Sequence, residues 1–336
     1  MTLRRAAFAC RACRARCHPL DERLGVDGLV SPHAQRLLCL AGAERSFERA
    51  ARLLRELAGL HVCDNTVRKA CDRHGGAMRA WQRDDPEAGA AFREAAGAVE
   101  FQTDGTSVNT TGGWREMRLS IFARRGAGEP VADLDAWGDQ RLPAPTARAA
   151  TAGIRTGDAL GPQWRRAATR LGIKDAGAIT VLADGARWIW NQVEKHLPGA
   201  AGVLDIYHAS QHIHAAAAAL HGEEAAARAW AEARRRTLLE SGAAGLLAEL
   251  EGAGGAAGEL AAYLAPHADH TDYRRRLAEG RSIGSGLVEG ACKTVVGRRL
   301  KQTGARWRVR RVERMASLCC VLYSEQWEAY WKNVAG

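Results

Sequence analysis

The chain has 336 residues, of which 46% are hydrophobic and 26% are charged, and its formal net charge is +10. This length allows two to three domains with a buried core, and the composition excludes a chain that is mainly disordered. The sequence has no apolar run of about 18 residues, and residues 1–5 do not lead into a hydrophobic signal core. We therefore expect neither membrane insertion nor secretion, and a cytoplasmic location.

The positive charge is concentrated in one segment. Residues 273–314 contain 13 Lys or Arg residues against three Glu residues, so this segment accounts for the whole excess of +10. A localised basic segment indicates a polyanionic partner, because Lys and Arg displace counterions from phosphates. Arg-rich coding bias would instead spread the basic residues along the chain. The segment therefore predicts nucleic-acid binding.

A CxxC pair, Cys10 and Cys13, stands in residues 1–25. Two thiolates at this spacing can bind one Zn²⁺, but a structural zinc site needs four ligands. Cys17 and His18 follow, yet adjacent residues rarely point at one metal, and no second CxxC pair is present. Zn²⁺ binding and free thiols both stay open. The nine cysteines are an odd number without a disulfide pattern, so we expect them to be reduced.

Residues 26–96 have helical periodicity. One helix begins after Ser46, which can cap it, and ends at Gly59. A second helix begins at a cap formed by Asp64 or Asn65. Its first turns carry two basic residues, Arg68 and Lys69. This order is typical of a helix-turn-helix, and an ordinary helical hairpin fits it equally. The region is predicted to bind DNA.

Residues 97–208 change to strand periodicity. The pattern predicts a hairpin of strands 99–104 and 114–124, a weak strand over 130–137, a helix over 163–171, a strand over 178–183, a helix over 187–196 and a strand over 202–207. Strands joined by helices imply an α/β fold whose sheet has parallel members and functional residues at the carboxyl ends of its strands. Asp104, Asp184 and Asp205 fall at or near such ends.

The remaining chain reads as helical. Residues 209–281 are rich in Ala and lack strand signals, which predicts a helical insertion. Within residues 282–336, Ser285 is predicted to cap a helix that runs through Glu289 to Leu300, and a last helix is predicted over residues 308–331.

Three acids are each followed by Gly: Asp104, Asp184 and Glu289. Carboxylates suit hard divalent cations, and a pair of such ions can activate an attacking oxygen and stabilise a leaving oxygen at phosphorus. Helix caps and surface charges are the alternative interpretation of these acids. The position of Glu289 inside the basic segment favours phosphate chemistry.

Four ordered motifs carry a resemblance to a known family. They are Phe101-Gln-Thr-Asp104-Gly-Thr, Ala183-Asp184-Gly-Ala-Arg-Trp188-Ile-Trp190-Asn191, Leu204-Asp205-Ile-Tyr207-His208-Ala, and Val288-Glu289-Gly-Ala-Cys-Lys293 running to Lys301 and followed by Arg306-Trp307. With these motifs, and over residues 19–314, the chain resembles the ISKra-type bacterial insertion-sequence transposases, relatives of the Mutator-like transposases.

The resemblance implies an RNase H-like mixed-sheet catalytic core (97–208) with a helical insertion (209–281), completed by residues 282–336. It implies a DDE mechanism in which Asp104, Asp184 and Glu289 bind two Mg²⁺ or Mn²⁺ ions per site. Asp205 and His208 match the family's DxxH signature, for which packing and direct catalysis are equal alternatives. Trp307 matches a family Trp that could stack on an unpaired base, and core packing is its alternative.

The implied partner is double-stranded DNA, at the element ends and at the target, with a homo-oligomer in the synaptic complex and a nucleoid-associated location. The residues expected to contact DNA are Arg68, Lys69, Lys293, Arg298, Arg299, Lys301, Arg306, Trp307 and Arg308. The family has an earlier CxxC pair that this chain lacks, so we expect an N-terminally truncated member. The family also has a Gly after the knuckle, where this chain has Arg14.

The leading hypothesis is a DNA transposase that hydrolyses a phosphodiester at the element ends and transfers the freed 3′-hydroxyl to target DNA. A catalytically silent DNA-binding relic that occupies element ends is one alternative. An RNase H-like nuclease without strand transfer is another. A two-carboxylate glycosidase would leave the basic segment unexplained.

Overall fold

The computed structural model describes residues 6–23, 26 and 30–335. The predicted N-terminal stretch 1–5, and residues 24 and 25 within the start of the family resemblance, lie outside the described residues. The chain divides into two units. The helical unit comprises the described residues up to Ala88, Asn109–Gly113 and the chain from Val295 onward. The sheet unit comprises Gly89–Val108 and Trp114–Thr294.

The elements up to the sheet are, in chain order, β1 (Phe8–Ala9), β2 (Arg16–Cys17), α1 (Pro19–Arg23), α2 (Pro32–Glu44), α3 (Phe47–Ala58), α4 (Asp64–Asp84) and α5 (Ala90–Glu94). The sheet region contains β3 (Ala98–Thr110), β4 (Gly113–Arg125), β5 (Ala147–Gly153), α6 (Gly157–Arg170), β6 (Ile179–Ala183), α7 (Arg187–His196) and β7 (Ala201–Leu204). Helices follow: α8 (Ile206–Leu220), α9 (Glu224–Glu249), α10 (Gly255–Leu264), α11 (Tyr273–Ala278), α12 (Gly286–Ala291), α13 (Arg298–Leu300), α14 (Val309–Tyr323) and α15 (Trp327–Ala335).

The helical unit packs α2, α3 and α4 against one another and α4 against α14. The predicted bounds of α3 are confirmed, since Ser46 Oγ accepts the Arg49 N–H and Gly59 adopts the left-handed conformation at φ 62°. The predicted cap of α4 is wrong: Asp64 already lies inside the helix, and Cys63 precedes it without a side-chain cap. Whether α3 and α4 act as a DNA-reading helix-turn-helix stays a prediction.

A five-stranded mixed sheet forms the centre of the sheet unit, in the order β5-β4-β3-β6-β7. The two-residue turn at Thr111 and Gly112 joins β3 to β4, as predicted. Strand β5 pairs antiparallel with β4, whereas β6 pairs parallel with both β3 and β7. The predicted α/β class with parallel strands is therefore confirmed.

Helices cover both faces of this sheet. Neighbouring residues of β6 point to opposite faces, so Val181 belongs to a core with Phe101 and Trp164, whereas Leu182 belongs to a core with the helices after β7. Residues 209–281, all of which are described, form helices and connecting turns, as predicted for the insertion. Among the described helices, none has the length and apolarity that crossing a bilayer requires.

Three predicted elements differ from the structure. The weak strand predicted over residues 130–137 is absent from the described chain. A 3₁₀ turn over Leu134–Asp139 stands there, because the Asp133 side chain accepts the Asp135 N–H and caps it. The third strand is instead β5, and its Ala-rich sequence gave no strand signal.

The strand predicted to continue to Tyr207 ends at Leu204, because Asp205 caps α8. The single last helix predicted over residues 308–331 is two helices, α14 and α15. They separate at Glu325, which has the left-handed φ of 57°.

The helical unit has a close helix–helix contact at Gly75, which generates a stability prediction. A Cβ atom at Gly75 would lie 2.2 Å from the backbone oxygen of Arg314, whereas one at Gly76 would meet the flexible Arg314 side chain at 3.3 Å. We expect Gly75→Ala to lower the free energy of unfolding by about 1–3 kcal/mol through overpacking. The matched control Gly76→Ala should be neutral or raise it by up to about 1 kcal/mol through helix propensity. Urea unfolding compares the two variants, and equal effects would contradict this packing.

Candidate active site

Three aspartates lie side by side at the carboxyl ends of adjacent strands. Asp184 and Asp205 directly follow β6 and β7. Asp104 lies inside the long strand β3, but the parallel pairing of β3 with β6 ends at Gln102 and Leu182, so Asp104 stands just beyond the paired part. Side chains at the carboxyl ends of parallel strands project toward one edge of a sheet. The fold therefore gathers acids that are far apart in sequence.

Asp205 is fully buried, and both of its oxygens are occupied. Oδ1 accepts the His208 N–H at 2.8 Å, which caps α8. Oδ2 accepts two hydrogen bonds from Ser285, one from the backbone N–H and one from Oγ at 2.6 Å. Burial alone would raise the pKa of Asp205, but the bonds from His208 and Ser285 outweigh it and hold that pKa below its ordinary value.

Ser285 thereby serves a different purpose from the one predicted. It precedes α12 without a side-chain cap, because its hydroxyl donates to Asp205. The consequence is that a buried carboxylate from the end of β7 anchors the start of the helix that carries Glu289.

His208 stands among the carboxylates. Its Nδ1 lies 3.4 Å from Asp205 Oδ1, and this carboxylate, assisted by Asp184 and Glu289, raises the pKa of His208 to about 8 against the effect of burial. The possible ligand atoms of Asp205, His208 and Glu289 all lie within 4.8 Å of one another. Their spacing could hold a metal ion, but Asp205 would have to share oxygens that already accept hydrogen bonds from His208 and Ser285.

The predicted triad members are each half-buried. Burial, together with the negative charges of Asp184 and Glu116, raises the pKa of Asp104, while the Gly105 N–H and His208 oppose the shift. Asp184 Oδ1 accepts the Ala186 N–H at 3.0 Å. Asp104 and Asp184 therefore lie within electrostatic range of each other and of His208, and Glu289 shares that range of His208. In the described chain, the compact metal-binding group contains Glu289 but neither Asp104 nor Asp184.

Two of the three glycines that follow the acids have a neighbouring side chain close to the position of a Cβ atom. A Cβ atom at Gly105 would lie 2.4 Å from the Glu116 carboxylate, and one at Gly185 would lie 2.4 Å from the Tyr263 ring. Gly290 has open space around its Cβ position. Gly105 and Gly185 therefore leave room for neighbouring side chains beside their acids, and Gly290 has no such neighbour.

Several residues of the site were not predicted. Glu116 comes from β4 and reaches Asp104 electrostatically, while forming an ion pair with Arg118 at 2.9 Å. Tyr263 comes from the helical insertion, with its ring stacked on His212 at 3.7 Å between ring centres. No sequence spacing links these residues to the acids, so only the fold could identify them.

The residues predicted to contact DNA divide into exposed and buried sets. Those exposed to solvent are Lys69, Lys293, Arg298, Lys301, Arg306 and Arg308. Arg68 is half-buried and donates to Asn65.

An open groove of about 400 Å³ lies in the helical unit. Its lining includes Arg68, Arg306, Arg308 and Arg311.

Two of the residues predicted to contact DNA, Arg299 and Trp307, are buried in this structure, which for Trp307 agrees with the alternative of core packing. Arg299 is buried, donates from Nε to the Gly42 carbonyl at 2.6 Å, and places its guanidinium against the rings of Phe47 and Trp307. Trp307 is also buried, and its Nε1 donates to the Leu300 carbonyl at 2.9 Å. Both side chains therefore pack the basic segment against the interior of the helical unit, and neither is exposed for contact with a base or phosphate.

The cysteines of the predicted zinc knuckle, Cys10 and Cys13, lie in the connection between β1 and β2. Both are exposed, and the Cys13 N–H lies 3.5 Å from Cys10 Sγ. Arg14 adopts the left-handed φ of 57°, which explains why Gly is favoured after such a knuckle. Within the described residues, these thiols do not join a group of three ligands, so zinc binding stays a prediction. No disulfide is present among the described residues.

The bonds at Asp205 predict a large effect from a small substitution. Asp205→Asn keeps the size of the side chain, but it removes the charge and turns an acceptor of the Ser285 bonds, or of the His208 bond, into a donor. We expect the free energy of unfolding to fall by about 2–3 kcal/mol. Ser285→Ala removes only one hydroxyl and should cost about 1 kcal/mol. Denaturant titration of both variants tests this order, and a milder effect for Asp205→Asn would contradict it.

The raised pKa of His208 predicts a pH dependence with a defined sign. A histidine whose pKa rises from 6.5 to about 8 on folding contributes stability that is full below pH 6.5 and is lost as the pH rises through 8. Asp205 has a lowered pKa, so its own contribution is constant across this window. In metal-free buffer, the difference in unfolding free energy between wild type and His208→Gln should therefore be larger at pH 6 than at pH 9. An NMR titration that places the pKa of His208 at or below 6.5 would refute the arrangement.

Comparison with protein-family models and with curated proteins returns no match for this chain. The assignment of a function therefore rests on the motifs of the sequence and on the geometry of the carboxylate cluster.

Proposed function

We propose that this chain is a DNA transposase of the ISKra type, which cleaves phosphodiesters at the ends of its element and joins the freed strand to target DNA. The observation that carries the proposal is that Asp104, Asp184 and Glu289 all lie within electrostatic range of His208. Asp184 and Glu289 contribute to the raised pKa of His208, and the pKa of Asp104 responds to the charges of Asp184 and His208. They come from positions 104, 184 and 289, as a DDE mechanism would need.

The donor set of the cluster fits a hard divalent cation. Carboxylate oxygens are the preferred ligands of Mg²⁺ and Mn²⁺, and like charges held together in a half-buried site favour a cation that neutralises them. Asp104, Asp184 and Glu289 would hold it. When bound, such ions supply activation of the attacking oxygen and stabilisation of the leaving oxygen at phosphorus.

The chain's own residues have distinct tasks in this proposal. Asp205 is a positioning residue, because its oxygens are already occupied by Ser285 and His208. The raised pKa of His208 favours its protonated form, which can donate a hydrogen bond to a phosphate oxygen. In the first step, water attacks phosphorus and the 3′-oxygen leaves as a free hydroxyl. In the second, that hydroxyl attacks a target phosphodiester, and the 3′-oxygen of the target strand leaves.

The sheet supports the finer proposal of an RNase H-like core. Strands β4 and β5 extend the sheet on one side of β3, and the parallel strands β6 and β7 extend it on the other. Asp104 lies on the central strand β3, and Asp184 directly follows the parallel neighbour β6. These are the positions that the family resemblance implies for two acids of a DDE core. The insertion between Asp205 and Glu289 agrees with the same proposal.

Cleavage with and without Asp184 tests the proposed function. A labelled duplex taken from the DNA that flanks the gene is incubated with the protein and Mg²⁺ or Mn²⁺, and nicked and joined products are scored together. We expect Asp184→Asn to reduce both products by about two orders of magnitude or more while DNA retardation persists. Asp175→Asn is the matched control, since Asp175 is exposed in the same unit and only caps a 3₁₀ turn.

Each outcome assigns a different function. Metal-dependent nicked and joined products that vanish in Asp184→Asn support the transposase. Nicked products without joined ones would replace it by a nuclease. Retarded DNA without product under either metal would replace it by a DNA-binding protein that is catalytically silent.

A further inference from the structure

A groove of about 360 Å³ opens in the sheet unit next to the carboxylate cluster. Three of its lining residues are Gln102, Tyr207 and Leu287, which precede Asp104, His208 and Glu289 by two, one and two positions in the sequence. Because residues two apart on a strand share a face, Gln102 lies on the same face of β3 as Asp104. The groove therefore continues the cluster along the sheet.

The groove contains a buried polar group without a protein partner. Gln102 is 1% exposed, and its Oε1 accepts the Val288 N–H at 3.0 Å. Its Nε2 has no hydrogen-bond partner in the part of the chain that the structure describes. An unsatisfied buried amide costs about 1–3 kcal/mol, so a donor of this kind in a groove indicates a ligand that supplies the acceptor.

Aromatic rings form another part of the same groove. Tyr207 and Trp137 lie 5.4 Å apart between ring centres, and Tyr207 remains 49% exposed. A Cβ atom at Gly284 would fall 2.9 Å from the Tyr207 ring, so the absence of a side chain there lets the ring lie against the backbone. The exposed cation Arg141 stands within electrostatic range of Tyr207.

We propose that this groove binds one unpaired nucleobase of the DNA strand whose phosphate enters the carboxylate cluster. The paired rings of Trp137 and Tyr207 offer a stacking platform. The Gln102 amide offers a hydrogen-bond donor to the base edge, and Arg141 offers a charge to the backbone. This combination is the one by which proteins hold bases outside a duplex. The inference rests on the proposed function for the identity of the strand, but not for binding of the base.

The test uses the full chain and a single-stranded hexanucleotide with one 2-aminopurine among thymines, in EDTA, so that neither end recognition nor cleavage is needed. Anisotropy gives the affinity, and quenching of 2-aminopurine reports stacking. We expect Trp137→Ala to weaken binding on the order of tenfold and to abolish quenching, and Trp137→Phe to keep both. Trp230→Ala is the matched control, since Trp230 packs against the same core outside the groove.

Gln102→Glu provides the readout that a merely structural role would not move. It retains an oxygen for the Val288 N–H, and at a pH high enough to ionise this buried carboxyl group it replaces the amide donor by an acceptor. The preference among hexanucleotides should shift from thymine, which presents an acceptor, toward cytosine, which presents an amino donor. An unchanged preference, or a Trp137→Ala variant that binds and quenches like wild type, would overturn the proposal. Base binding without any cleavage would support the base-binding groove and refute the proposed transposase function. Cleavage without base binding would support the transposase function and refute the groove proposal.

Discussion

The buried carboxylate of Asp205 is the constraint on which the geometry of the site depends. It joins three pieces of backbone: the end of β7, the first turn of α8 and the segment before α12. A buried charge is tolerable only when its hydrogen bonds are made, so these pieces cannot separate without exposing an unpaired carboxylate. Asp205 thus fixes the places of the segments that carry His208 and Glu289.

The site holds several like charges close together at the edge of a sheet, and the surrounding structure maintains this arrangement. Parallel pairing of β3, β6 and β7 determines the positions of the aspartates, and helices pack on both faces of those strands. Burial, together with repulsion from Asp184 and Glu116, raises the pKa of Asp104, and the interaction with Asp205 and the other carboxylates raises the pKa of His208. A cluster of this kind is preorganised to receive positive charge.

Periodicity and capping chemistry in the sequence predicted the α/β class, the strand–helix alternation around β6 and α7, and the acids at strand ends, because those signals are local. They failed where a tertiary bond decides the outcome. Ser285 looks like a cap but donates to Asp205, and Ala-rich β5 has no propensity signal of its own. Arg299 and Trp307 look like DNA contacts within a basic run, yet burial against Phe47 assigns them to packing. Linear charge patterns do not reveal which arginine faces inward.

The bonds between Ser285 and Asp205 also have a consequence for the order of folding. They link residues 80 positions apart, so a long loop must close before the two segments meet. Closing a loop of this length costs entropy that only later contacts repay, and such contacts form slowly. A nascent chain synthesised only as far as the helical insertion has its aspartates but neither Ser285 nor Glu289. The sheet can therefore assemble on the ribosome while its cluster of acids is still incomplete, and any activity of that cluster begins only after the insertion has folded back.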